Sequence, residues 1–249
     1  MTNATTSIRP MLDRAQPDGR YKIGQDSGIY WRHQYGGDPL RGCEAPDWFF
    51  VPDVEPDLPK SYVLWRELVP PFIAIEFVSG DGQEERDQTP VTGKFWVYEN
   101  IIQPQYYAIY EEHLASVELY ELVNGQFRQV SANTRGHYPV AALDIELGIW
   151  HGTYGHITTD WLRVWDSNGT LLLSGEERAE VERHTRELAE QRAEAERRER
   201  ALAEQQRELA EQQAEAERRE RALAEQQAEA AENEVARLQA LLQQHGISL

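Results

Sequence analysis

The feature that most limits what this chain can fold into is a break in composition near residue 175. From Glu176 onward the sequence is almost entirely Glu, Ala, Gln, Arg and Leu, and nearly all aromatics, prolines and glycines precede it. The second part has too few large apolar side chains to build a core. The expected organisation is a mobile N-terminal segment (1–25), one globular domain (26–175) and a charged helical tail (176–249).

The tail carries an internal repeat. Residues 189–209 and 210–230 align with a period of 21, or three heptads. Leu188, Ala195, Leu202, Leu209, Ala216, Leu223 and Ala230 recur every seven residues, but three positions after the first six stand Gln191, Arg198, Gln205, Gln212, Arg219 and Gln226. A stable coiled coil needs both seam positions apolar. A homo-oligomer through the tail and a solitary helix of roughly 100 Å, at ~1.5 Å per residue, therefore both stay open. Glu182–Arg186, Glu194–Arg198, Glu196–Arg200, Glu215–Arg219 and Glu217–Arg221 have the favourable i to i+4 orientation. Val235, Leu238, Leu241 and Leu242 form an apolar stripe, and Gly246 suits a C-cap.

Charge restricts the function classes. The formal net charge is −18, with 13 basic and 24 acidic residues before position 176 and 12 and 19 from it onward. Such a balance opposes general nucleic-acid binding, which depends on neutralising phosphates. It leaves room for a nuclease, because bound divalent ions invert the field of a carboxylate cluster. The single cysteine, Cys43, excludes an internal disulfide and a Cys-rich zinc module. No apolar run suits a signal peptide or a membrane span, so a soluble cytoplasmic protein without a membrane partner is expected.

Before the tail, short β-rich runs dominate. Residues 46–51 (PDWFFV) and 72–78 (FIAIEFV) read as strands, with a Pro- and Asp-rich loop at 52–60 between them. A polar loop at 79–93 leads into 94–102 (KFWVYENII), where Phe95, Tyr98 and Ile102 have amphipathic helical spacing. Strands follow at 105–110 and 117–123, then Asn124-Gly125 signals a hairpin into 126–130. Residues 144–150 suit either strand or helix, and 161–165 with 170–173 form a final hairpin. The order implies an α/β or α+β domain around a mixed β-sheet, followed by a long C-terminal α-helix.

Glu76 is the most informative residue. A carboxylate inside an apolar strand is costly unless it is paired or binds a metal. Asp47, at the start of the preceding strand, supplies a second carboxylate that a shared sheet could bring alongside. Magnesium typically takes one or two carboxylates plus water and substrate phosphate. Lys94 is one of three lysines, with Lys22 and Lys60, and is a compact charge able to orient or deprotonate a water. Blander readings stand beside these: Asp47 as a turn residue, Glu76 paired with Arg66 or Arg86, Lys94 as a solvated helix residue. His151 and His156 match no common zinc spacing and read as loop residues.

Residues 46–51, 61–65 and 71–79, continuing through Asp87, Lys94 and Tyr98 to 105–109, 120–127 and 143–148, resemble the Uma-type family of bacterial restriction endonucleases. That family is part of the PD-(D/E)XK nuclease superfamily, and the resemblance spans roughly residues 30–175. It implies a restriction-endonuclease-like fold and a metal-dependent DNA endonuclease, with DNA as substrate and Mg²⁺ (or Mn²⁺) as cofactor. By resemblance Asp47 and Glu76 would be metal ligands, and Asp47, Glu76 and Lys94 the catalytic set. The usual superfamily lysine position is Val78 here; the family places its lysine on the following helix, where Lys94 stands, with Tyr98 one turn later. An extra Thr89-Pro90 and Gln105 in place of an acid depart from the pattern. The alternative is a catalytically inactive nuclease-like binding module whose tail drives oligomerisation or partner recruitment.

Overall fold

In the computed structural model of the chain, the described residues are 9, 12, 16–31, 42–56, 61–154 and 156–244. They divide into two units, Met1–Glu180 and Val181–Leu249.

Alternating apolar side chains in short runs build the sheets of the first unit. Its strands are β1 (Tyr21–Gln25), β2 (Gly28–Tyr30), β3 (Cys43–Glu44), β4 (Trp48–Pro52), β5 (Ser61–Val63), β6 (Ile73–Phe77), β7 (Tyr106–Glu111), β8 (Ser116–Val123), β9 (Gln126–Gln129), β10 (Tyr138–Val140), β11 (Ile145–Tyr154) and β12 (Ile157–Asp166). A one-turn helix α1 (Leu64–Glu67) precedes β6, and α2 (Lys94–Val97) runs into a π turn (Tyr98–Ile102) before β7.

The central sheet has the order β1-β4-β6-β7-β8-β9. β6 and β7 are parallel, joined by the segment that holds α2, and the other neighbours are antiparallel. One face, with Trp48, Phe50, Ile73, Ile75 and Ala108, packs on Val140, Ile145, Leu147, Leu162 and Val164 of the β10-β11-β12 sheet. The opposite face, with Phe49, Val51, Ala74, Tyr107 and Ile109, packs on Ile29 and Tyr62 of the small β3-β2-β5 sheet and on Phe95, Val97, Tyr98 and Ile102. Burial of each large side chain in these layers stabilises the fold by about 1.5–3 kcal/mol.

The strand expectations at 46–51, 72–78, 105–110, 117–123 and 126–130 correspond to β4, β6, β7, β8 and β9 within a residue or two. Asn124 and Gly125 both have positive φ (54° and 77°), the conformation of a tight hairpin turn whose twist matches its strands. Residues 144–150 resolve to strand, forming most of β11. The final hairpin at 161–165 and 170–173 reduces to a bridge between Trp165 and Leu171, because β12 pairs instead with β11. His151 lies in β11 opposite Asp160, 2.9 Å from its carboxylate, rather than in a loop.

Part of the segment expected to be mobile, 1–25, lies among the described residues. Tyr21–Gln25 is an edge strand paired with β4, and Leu12 is buried in the core. Val51 and Phe50 supply the buried partners that polar, aperiodic 1–25 does not advertise.

The long helix α3 (Gly175–Gln244) starts with a capping box. Ser174 N–H donates to Glu177 Oε2 at 2.6 Å, and Glu177 N–H donates to Ser174 Oγ at 3.2 Å. The buried Arg163 clamps the same carboxylate with two bonds, 3.0 and 2.7 Å. In the second unit all described side chains over 181–240 are exposed, and four of the expected i to i+4 ion pairs form: 182–186, 194–198, 196–200 and 215–219. Each contributes a few tenths of a kcal/mol, about 0.3–0.5. Gly246 lies outside the described residues, as do the side chains of Leu241 and Leu242.

Candidate active site

Sheet parity decides where the two candidate carboxylates point. Along β4 the odd-numbered residues Phe49 and Val51 face the helical side, and along β6 Ala74 does. Asp47 and Glu76 share those parities. The β4–β6 register pairs Trp48 with Ile75, so one further step sets Asp47 opposite Glu76. The Asp47 side chain crosses to β6, where Oδ2 accepts the Phe77 N–H at 2.6 Å. Both acids thus stand at one end of a strand pair, on the face that α2 covers.

The helix delivers the third residue. Its N-terminal neighbour Gly93 is tightly confined: a Cβ there would lie 2.4 Å from the Asp87 carbonyl oxygen and 2.6 Å from the Thr89 nitrogen. Only glycine lets the loop close on itself at that point and start α2 at Lys94. Two residues earlier Val91 has a φ of 74°, a left-handed conformation rare for a β-branched side chain. From this start, Lys94 Nζ reaches Glu76 Oε2 at 3.4 Å, and Tyr98 OH, one turn later, donates to Glu76 Oε1 at 2.7 Å. Among the described residues each Glu76 oxygen therefore has one partner. The π turn begins at Tyr98, with Gln103 N–H donating to Tyr98 O at 2.8 Å, and keeps both Tyr98 and Ile102 buried.

Burial and charge act together on these groups. Glu76 is 2 % exposed, and burial pushes its carboxyl up to about 7, against the pull of Lys94 and the Tyr98 hydroxyl and with help from the Asp47 charge. Burial also raises Asp47, opposed by the Phe77 N–H and Lys94 and assisted by Asp26. Lys94 moves the other way from a catalytic base. Burial would lower it, but Glu76, Glu84, Glu85 and Glu44 together raise it, so it stays an ammonium. An ammonium in this setting suits the orienting role better than the deprotonating one.

Three acids absent from the sequence expectations surround this lysine. Glu84 lies 3.5 Å from Nζ. Glu44, on β3, is pushed up to about 7 by burial, with Lys94 opposing and Glu84 adding. Glu85 is 1 % exposed, and its Oε2 has no hydrogen-bond partner among the described residues. Glu44 is three positions before Asp47, and Glu84-Glu85 sit in an acidic loop; only their convergence on Lys94 sets them apart from ordinary surface charge. Among the described residues no three Asp, Glu, His or Cys side chains converge as a ready-made metal cage. No helix among them is long and apolar enough to cross a membrane.

A family profile described as "Uma2: Putative restriction endonuclease" matches residues 2–159, more than half of the chain. The chain belongs to the Uma2 family. The Uma2 match takes in Asp47, Glu76 and Lys94 together with the whole central sheet. No curated protein matches. A crystal structure from Anabaena variabilis, described as "a putative nuclease belonging to DUF820", is similar at 13% identity over 56% of this chain and 68% of that one, with a TM-score of 0.35.

Proposed function

We propose that this Uma2 protein is a metal-dependent DNA endonuclease whose Asp47 and Glu76 hold Mg²⁺, with Mn²⁺ able to substitute. The observation that carries the reading is the meeting of three chemically distinct groups at one strand end: Asp47 in register opposite Glu76, and the Lys94 ammonium 3.4 Å from Glu76. Family membership supports nuclease chemistry in general; the metal and the residue roles are inferred from the donor set.

The residues present fit such an ion. Two acids raised by burial, one of them further by the other's charge, lack enough cationic compensation, and a hard divalent ion supplies it. Magnesium favours this modest donor set because it retains waters and takes substrate phosphate oxygens. When bound, the ion supplies acidification of water and neutralisation of charge on the phosphoryl oxygens. The chain's own residues do the positioning. The Phe77 N–H fixes the Asp47 carboxylate, the Tyr98 hydroxyl fixes one oxygen of Glu76, and Lys94 offers its remaining protons to a phosphate or to the attacking water.

The test is cleavage of supercoiled plasmid with Mg²⁺ or Mn²⁺. Wild type nicks or linearises the plasmid, and Asp47→Asn and Glu76→Gln do not. Wild-type protein inert in both metals, or variants that cut equally well, refutes the reading.

A further inference from the structure

We propose that Glu84 is a substrate-selecting residue of this site: its carboxylate occupies the solvent-side position on the Lys94 ammonium that a substrate phosphate takes, and binding requires its displacement. The inference rests on the reading of the site as one that cleaves phosphodiesters.

Burial orders three charges from inside to outside. The Glu76 side chain is 3% exposed, Lys94 16% and Glu84 69%. Lys94 Nζ lies 3.4 Å from Glu76 and 3.5 Å from Glu84, so the two carboxylates flank one ammonium. The inner carboxylate is fixed by Tyr98. The outer one stands on the solvent side of the ammonium. An ammonium has three protons to donate and no other function, so an acid held against its exposed side competes directly with phosphate.

The backbone beneath Glu84 is fixed, which makes the displacement a side-chain event. Two residues on, Arg86 bonds Glu118 at 2.8 and 2.5 Å, Glu111 at 3.0 Å and the Gly82 carbonyl at 2.8 Å. The adjacent Glu85 is buried, and its carbonyl accepts the Tyr107 hydroxyl at 3.1 Å. Glu84 is thereby free to turn about its own side-chain bonds while the loop stays in place. Glu84 also faces Glu44, whose carboxyl it pushes up, so the lysine is what compensates this location. With Glu84 largely in solvent, its bond to the half-buried lysine contributes little to folding and is readily exchanged. The consequence is selection: an anion gains the outer side of Lys94 by displacing Glu84.

The test measures binding of a short DNA duplex by fluorescence anisotropy in Ca²⁺, alongside steady-state cleavage in Mg²⁺. Glu84→Gln is expected to bind roughly two- to fivefold tighter, the range an exposed pair allows, with KM lowered by a similar factor and kcat within about twofold. Asp81→Asn, which removes a charge from the same loop and can keep the bond to the Gln83 N–H, is expected to change neither. The gain of Glu84→Gln is expected to vanish in a Lys94→Met background. The same gain in that background, or from Asp81→Asn, marks a general charge effect and overturns the proposal. No gain in a wild type that does cleave overturns the selection role alone. A fall in kcat together with weaker metal binding makes Glu84 a ligand and also overturns it. A wild type that neither binds nor cleaves removes the nuclease reading and this proposal together.

Discussion

Glu76→Gln is expected to stabilise the metal-free protein at pH 8 much more than at pH 5. Glu76 is 2 % exposed and its carboxyl is raised from 4.5 to about 7, chiefly by burial. Between those values the folded state holds a proton that the unfolded state has released. Stability from this group is therefore fully present below pH 4.5 and is lost as pH rises through about 7. The rise from 4.5 to about 7, at about 1.4 kcal/mol for each tenfold change in proton affinity, gives a change of ~2–3 kcal/mol between pH 5 and pH 8. Glutamine stays neutral throughout and can still accept the Tyr98 hydroxyl. For a unit of this size each kcal/mol moves Tm by about 2–4 °C, so the variant's advantage at pH 8 over pH 5 is about 4–12 °C. Thermal melts in EDTA at both pH values read it directly. Parallel pH dependence of the two proteins refutes the account of Glu76 as an acid held in the fold against its own solvation. The same variant is expected to be inactive, so stability and activity move in opposite directions at this residue.

Mg²⁺ affinity, measured by calorimetry, is expected to rise with pH up to about 7, because Glu76 must ionise to bind the ion, and protons are released on binding. Lys94→Met is expected to lower turnover by about 10²-fold or more, with Mg²⁺ affinity undiminished because a competing cation has gone; single-turnover cleavage and calorimetry separate the two effects. Gly93→Ala forces a Cβ to within 2.4 Å of the Asp87 carbonyl and is expected to cost about 1–3 kcal/mol in chemical denaturation, with activity falling as Lys94 shifts.

The site was legible to the extent that physics leaves marks in a linear sequence. Glu76 interrupts an apolar run, and a carboxylate in such a place needs a reason. Asp47 heads the preceding strand, and the alternation along β4 and β6 fixes which face both occupy. Lys94 carried no such mark; a lysine opening an amphipathic segment reads as solvated, and family resemblance placed it in the set. Glu44, Glu84 and Glu85 were hidden because their significance lies in distance across the fold, and acids in polar loops look alike in one dimension. The edge strand Tyr21–Gln25 and the small sheet of β2, β3 and β5 were missed for a related reason. They are two to five residues long, and strands that short have too few alternations to register as a pattern. The tail helix was the easiest element to read, since a 21-residue repeat of strong helix formers needs no tertiary contact to declare itself.

Diffraction from crystals soaked in Mn²⁺, recorded for anomalous signal, tests the central claim most directly. The account predicts a peak shared by the Asp47 and Glu76 carboxylates, with Lys94 beside it and Tyr98 still bonded to Glu76. A peak held by other residues, or none between two intact carboxylates at saturating Mn²⁺, contradicts it.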